Sequence, residues 1–330
     1  DFIVARGRTE LDAPRREKLA LLCGLRDEDD VIAAPDVSSI YEIPLVLERQ
    51  KFADLLMKRL KIKTRKSQDN TWDNFVGKIN KINKSVKIAV VGKYFATGDY
   101  TLADSYISVI NAIKHAAWHS GVHAELTWID AEEYEKHPEK INELGSYNAL
   151  IVPGGFGTRG IEGILKSIRY ARENKLPYLG LCYGMQLATV EFSRHVLGYS
   201  DAHTVECNPK SKNLIININL TQAENIKQER YGGTMRLGAY DCDLKQGSIS
   251  RSLYGAATIS ERHRHRYEFD NKYRGEMEAK GMMVTGVNPQ SNLVEIIELK
   301  NHPYFVGVQF HPESILSEFG ETIIRNWLLL

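Results

Sequence analysis

The stretch Pro177–Gln186, PYLGLCYGMQ, sets Cys182 between Gly180 and Gly184, directly after a short apolar run. A thiol so placed has two uses. Free cysteine is often a small apolar residue, buried where a strand packs on a helix. Glycines two before and two after a cysteine also suit a nucleophile elbow, the sharp strand-to-helix turn that presents a catalytic side chain. At a helix start the aligned peptide dipoles favour an anionic sulfur. A second stretch, FVGVQFHPES (305–314), offers the base such a nucleophile needs. His311 follows a buried run, and Glu313 lies two residues on, on the same side of an extended chain. One imidazole nitrogen can then face the carboxylate and the other a thiol, the nucleophile, base and orienter logic of covalent catalysis. A surface His-Pro turn is the bland alternative. A third stretch, PGGFGTRG (153–160), puts adjacent glycines after a strand. There, backbone N–H groups can face a developing oxyanion with no Cβ in the way, joined by the N–H of Tyr183. It does not follow the G-x-x-x-x-G-K-[ST] pattern of a phosphate loop.

Residues this far apart need a scaffold that gathers strand ends. From Val86 the sequence alternates strand-like and helix-like runs: VKIAVVG (86–92), a helix over Leu102–His119 stopped at Gly121, strands at 124–130 and 147–152, a helix over Gly160–Glu173, then PYLGL. This predicts an α/β fold with a doubly wound, mostly parallel sheet, whose sites form at the carboxyl ends of the strands. Gly92, Pro153–Gly155 and Cys182 fall at such ends. The later runs, from LIININL through ATISERHRHRYEF, MMVTGV and LVEIIEL, read as more antiparallel. Residues 1–60 read as the tail of another domain: a strand at 1–6, a helix over Pro14–Gly24 and helical spacing over Phe52–Leu60. Residues 61–85, in a lysine- and asparagine-rich stretch, are expected to be an interdomain linker, leaving 86–330 as the main domain. Asp1 opens what reads as a buried strand, so the chain is expected to begin within a longer protein.

A net charge of +1 over 330 residues gives no global field toward nucleic acid or a membrane. No apolar run has the length to span a bilayer, and the first residues lack the form of a signal peptide. The basic cluster Lys58–Lys66 has no interleaved aromatics, so a solvated face is expected there. Four cysteines, Cys23, Cys182, Cys207 and Cys242, with no C-x-x-C pair, fit a reducing compartment and no zinc site. The expectation is a cytoplasmic protein.

Together GLCYGMQ, PGGFG and QFHPE resemble the class I glutamine amidotransferases, whose sheet is flavodoxin-like. GGTMRLG (232–238), ERHRHRYE (261–268) and DVSSIYEIP (36–44) narrow the resemblance to the CTP synthase family. It covers nearly the whole chain. It implies that residues 1–60 are the truncated α/β end of an amidoligase (synthetase) domain and 86–330 a glutaminase. The implied activity is hydrolysis of glutamine to glutamate and ammonia, the ammonia feeding a ligase that converts UTP to CTP with ATP. On that likeness Cys182 is the nucleophile, His311 the general acid/base and Glu313 the orienting carboxylate. Gly155 belongs to the oxyanion and glutamine contacts, and Tyr183, Gly184, Met185 and Gln186 to the glutamine-binding run. Glu206 holds the substrate's α-amino group and Arg266 its α-carboxylate. A zwitterion needs one anion and one cation, and arginine can hold a carboxylate with two parallel hydrogen bonds. The likeness further implies GTP as activator near Phe156, Arg159 and Arg266, ATP contacts at Arg6, Asp36 and Val37, and a UTP or CTP contact at Lys18. It also implies CTP as a feedback ligand, Mg2+ with ATP on ligands outside this chain, and a homotetramer able to form filaments, with neither nucleic acid nor membrane as partner.

From the residues alone, Phe156 reads as a core aromatic, Arg159 as a surface charge, Lys18 as part of a charged helix face and Asp36 as a loop or cap residue. In RHRHR the arginines 262, 264 and 266 would share one strand face, and flanking Glu261 and Glu268 speak against a phosphate-tracking stripe. Tyr183 stands where the family usually has leucine. Residues 314–330, SILSEFGETIIRNWLLL, resemble instead the ends of glutaminase subunits of anthranilate and aminodeoxychorismate synthases. The chain as given is expected to hydrolyse glutamine without making CTP. Two other readings stay open: a glutaminase serving another amidotransferase, and a non-catalytic nucleotide-sensing or polymerising module.

Overall fold

The computed structural model describes residues 1–63, 70–93, 96–97, 100–101, 106–218 and 235–314. They belong to two compact units, Asp1–Ile82 and Asn83–Leu330. In the first, strands Ile3–Gly7 and Val31–Pro35 pair in parallel, Ile3 opposite Val31. The helix between them, Ala13–Leu22, starts where sequence signals say it should: the Asp12 side chain accepts from Arg15 N, and Pro14 occupies the first turn. The Gln50 amide exchanges two hydrogen bonds, both 2.8 Å, with the backbone of Ala33, closing that strand's edge as a neighbouring strand would. Much of the expected linker packs within this unit. Helix Thr71–Ile79 lays Trp72 and Phe75 against Tyr41, with ring centroids 6.0 and 5.8 Å away, and Trp72 Nε1 donates to Tyr41 O at 2.9 Å. Two aromatics at helical spacing outweigh the polar composition around them.

The second unit is built on a nine-stranded sheet among the described residues. Five strands run parallel and adjacent, in the order Phe305–Val308, Tyr178–Leu181, Ala149–Val152, Ser85–Gly92, His123–Asp130. Four antiparallel strands extend it beyond Phe305–Val308: Val294–Leu299, Met282–Val287, Arg236–Leu244 and Thr258–His265. The inner parallel strands read as apolar runs because both their faces are covered, and Ile88–Val91 are wholly buried, whereas the edge strand His123–Asp130 alternates polar and apolar residues. The expected helix over Leu102–His119 is described as Ile107–His119, residues 102–105 lying outside the described residues. So do 232–234 of GGTMRLG and 315–330 of the last segment. No described helix is long and apolar enough to cross a membrane.

Helix Tyr183–His195, which follows Cys182, is buried from Tyr183 to Ser193. A wholly buried carboxylate, Glu191, fixes it to helix Ile161–Asn174 by accepting from Arg172 Nε at 2.9 Å and Nη2 at 2.8 Å. A charge so buried is stable only while paired. Arg172→Met is therefore expected to destabilise the unit by about 3 kcal/mol in chemical denaturation. An unchanged midpoint and slope would mean that Glu191 is not held by this pair.

Candidate active site

Four loops gather at the carboxyl ends of adjacent parallel strands, the place a doubly wound sheet reserves for sites. Tyr178–Leu181 runs into Cys182, Phe305–Val308 leads to His311, Ala149–Val152 to Gly154 and Gly155, and Ser85–Gly92 to Lys93. Register sets the first pair: Leu181 lies opposite Val308, and Cys182 N donates to Val308 O at 2.7 Å. His311 N donates to Arg262 O at 2.8 Å, tying the imidazole's backbone to the antiparallel half of the sheet.

Cys182 has φ 49° and ψ −96°, a conformation costly for any residue with a Cβ, and caps helix Tyr183–His195. Its neighbours show why the turn is built from glycines. A Cβ on Gly184 would fall well inside contact with Val152 O, and one on Gly180 would lie 2.7 Å from the Tyr178 hydroxyl and 2.8 Å from Gly184 C. A Cβ on Gly154 would come 2.9 Å from His311 Cε1 and 3.8 Å from Cys182 Cβ, so this glycine sits against both. The thiol is buried.

His311 Nδ1 lies 2.7 Å from Glu313 Oε1. Its Nε2 has no nitrogen or oxygen partner among the described residues and is left for the sulfur. Burial works against a charged imidazole, yet the Glu313 and Cys182 charges outweigh it and hold the His311 pKa well above the ordinary value. A thiol, an imidazole and an orienting carboxylate gathered at two neighbouring strand ends can attack a carbonyl carbon and return a proton to the leaving group.

These residues line an open cavity of about 1190 Å³. Gly155, Gln186, Glu206 and Arg266 face it as well, whereas Tyr183, Gly184 and Met185 do not. The side chains of Tyr183 and Met185 are buried in the core, so of this run only Gln186 offers a side chain to the cavity. Gln186 Nε2 donates to Tyr267 O at 3.0 Å and to Gln309 Oε1 at 3.2 Å, while Gln309 Nε2 lies 3.6 Å from the sulfur of Cys182. Gln309, in the QFHPE stretch, carries no local signal of this contact; register and the neighbouring helix bring it there. Glu206 Oε1 accepts from Gly157 N at 3.0 Å.

Of the other candidates, Phe156 is not a core residue: it is 67% exposed at the cavity wall. Arg159 points elsewhere, pairing with Glu132 at 2.7 Å and donating to Lys93 O. In the first unit, Arg6 and Asp36 pair at 3.4 Å, both well exposed, with half-buried Val37 next in sequence, and Lys18 lies exposed on helix Ala13–Leu22.

Strand Thr258–His265 alternates as expected, with Arg262 and Arg264 exposed and His263 and His265 buried. Arg266 lies just past the strand's last residue, His265, and is half-buried, and all three arginines line the cavity. Glu261 and Glu268 are buried rather than flanking the surface arginines: Tyr254 Oη donates to Glu261 at 3.0 Å, and Glu268 lies 3.4 Å from Arg236 Nη1. They therefore do not screen that face. Arg236 Nη2 also donates to buried Glu295 at 2.7 Å, and His263 Nδ1 lies 2.8 Å from His265 Nε2. Burial, with the Arg236 and His311 charges, keeps both histidines neutral. Burial likewise raises both carboxylates against the pull of Arg236.

Lys93 is buried behind the Gly154–Gly157 loop. Burial lowers its pKa to about 8, opposed by Cys207, Glu206 and Glu135 and helped by Arg159. The signal for it was a lysine directly after VKIAVVG, at a strand's carboxyl end.

The family model "Glutamine amidotransferase class-I" matches residues 101–330, and "CTP synthase N-terminus" matches residues 1–62. The CTP synthase of Halalkalibacterium halodurans is 44% identical over 310 residues, 93% of this chain and 56% of the relative. That of Listeria innocua is 42% identical over 316 residues, 96% of this chain and 57% of the relative. The chain thus spans little more than half the length of these relatives. A solved structure described as the glutaminase domain of Trypanosoma brucei CTPS with bound acivicin is 32% identical with a TM-score of 0.66, covering 74% of this chain and 92% of that one.

Proposed function

The chain belongs to the class I glutamine amidotransferases and carries the glutaminase region of the CTP synthase family, and from that membership we propose that it hydrolyses glutamine to glutamate and ammonia at Cys182. The observation that carries this reading is the convergence, on two hydrogen-bonded strand ends, of an elbow cysteine with a His311–Glu313 pair at 2.7 Å. The sulfur attacks the carboxamide carbon, forming a C–S bond and an oxyanion. The N–H groups of Gly155 and Tyr183 receive that charge. The oxyanion collapses, the C–N bond breaks, and His311 gives its proton to the departing ammonia. Water then attacks the thioester, His311 taking its proton, and glutamate leaves as the C–S bond breaks. Glu206 and Arg266, both facing the cavity, supply the anion and cation for the α-amino and α-carboxylate groups.

For the whole protein, the reading is a ligase that uses this ammonia to convert UTP to CTP with ATP, with CTP as a feedback ligand, in a cytoplasmic homotetramer able to form filaments. Arg6, Asp36 and Val37 are assigned to ATP, Lys18 to UTP or CTP, and Phe156, Arg159 and Arg266 to activating GTP. At Arg159 the effector would have to compete with Glu132. Magnesium accompanies ATP in this reading; the described residues offer no group of three His, Cys, Asp or Glu that could hold a metal ion.

An electrophilic glutamine analogue tests the assignment. One equivalent should attach to Cys182, as located by peptide mass, and excess glutamine should slow it. Attachment to exposed Cys23 or to Cys207 with Cys182 unmodified would contradict it.

A further inference from the structure

Lys93 lies outside the cavity lining, yet it touches both segments that supply the oxyanion N–H groups. Its Nζ donates to the carbonyl oxygens of Phe156 at 3.2 Å and Gly157 at 2.5 Å, on the glycine loop. It also donates to Tyr183 Oη at 3.0 Å and sits 4.4 Å from the Tyr183 ring centroid, on the residue after the nucleophile. Tyr183 Oη in turn donates to Gly157 O at 2.9 Å, and Cys207 Sγ lies 3.4 Å from that oxygen and 3.6 Å from Tyr183 Oη. On the other side of the same peptide plane region, Gly157 N is held by Glu206. Three ammonium protons thus meet three acceptors, two from one oxyanion segment and one from the other. A leucine at position 183, the family's usual residue, has no hydroxyl for this knot.

We propose that Lys93 is a positioning residue for glutamine hydrolysis, a clamp that fixes the Gly155 loop and Tyr183 relative to one another so that their N–H groups converge on one oxygen. The inference rests on the glutaminase reading above. The charged oxygen exists only in the tetrahedral intermediate and the transition states flanking it. Loosening its donors therefore costs rate more than ground-state binding, and misplacement by about 1 Å is enough for a large loss.

The test compares the intact chain with Lys93→Met and Tyr183→Phe. Glutamate release is followed against glutamine concentration, and alkylation of Cys182 by iodoacetamide, which needs no oxyanion site, is followed by peptide mass. Lys93→Met should lower kcat by about tenfold or more, with a smaller change in KM, while Cys182 alkylates at the unaltered rate. Tyr183→Phe, which keeps the ring and removes one hydroxyl, should lower kcat by a smaller factor in the same pattern. If Lys93→Met fails to fold, as shown by loss of the thermal transition, Tyr183→Phe decides. Unchanged kcat in the folded variants overturns the clamp, and so does a fall in kcat matched by an equal fall in Cys182 alkylation. An unsubstituted chain that alkylates at Cys182 yet releases no glutamate overturns instead the glutaminase reading on which the clamp depends.

Discussion

Cys182→Ala should lower glutamate release by about three orders of magnitude or more, leaving the fold intact. The chemistry leaves no substitute. Cys207 sits behind the glycine loop, bonded toward Gly157 O and Tyr183 Oη, and Cys242 is wholly buried. The burial of Cys242 also pushes its thiol pKa far above the ordinary range. Neither has the His311–Glu313 pair beside it. Relief of the φ 49° turn is expected to be small for alanine, which still carries a Cβ. Release within about tenfold of the unsubstituted chain would place the nucleophile elsewhere. In the whole protein of our proposal, free ammonia should still support the ligase after this substitution.

His311→Ala is expected to cost about a thousandfold, because it removes both the thiol's base and the proton donor to ammonia. Glu313→Ala should cost less, since an orienter acts only through the base. Glu313→Gln refines the assignment through pH. The His311 pKa is raised in the folded chain, so its ion pair stabilises the fold fully below about 6.5, the free imidazole value, and that contribution fades as pH rises through the folded pKa. Removing the Glu313 charge takes away a raising influence. The alkaline limb of kcat/KM should therefore move to lower pH. A limb that moved upward, or a Glu313 variant weaker than His311→Ala, would contradict these roles.

Much of this site was legible because its parts stand in short motifs at strand ends. The elbow glycines announce a turn that excludes Cβ atoms, and the i, i+2 spacing of His311 and Glu313 announces a shared side of the chain. Register, which periodicity does not reveal, then brings the two motifs together through Leu181 and Val308. Other contacts leave no local trace. Arg236 meets Glu268 and Glu295 only because the fold brings together residues 32 and 59 positions away in sequence, on strands that are not hydrogen-bonded neighbours of its own. The alternation that sets Arg262 and Arg264 on one face stops at His265, one residue before Arg266, yet all three arginines line the cavity. The helix Thr71–Ile79 was hidden by its polar surroundings, and Phe156 was read as core because nothing in PGGFGTRG says that its ring faces an open cavity. Lys93 and Gln309 meet partners distant in sequence, so neither stands out from the sequence alone, although the first follows a strand's carboxyl end and the second lies in the QFHPE stretch.

The most direct measurement is glutamate formed from glutamine by the purified chain, with and without GTP. The glutaminase account predicts turnover, faster when GTP is present. A folded chain that forms no glutamate under either condition would contradict it.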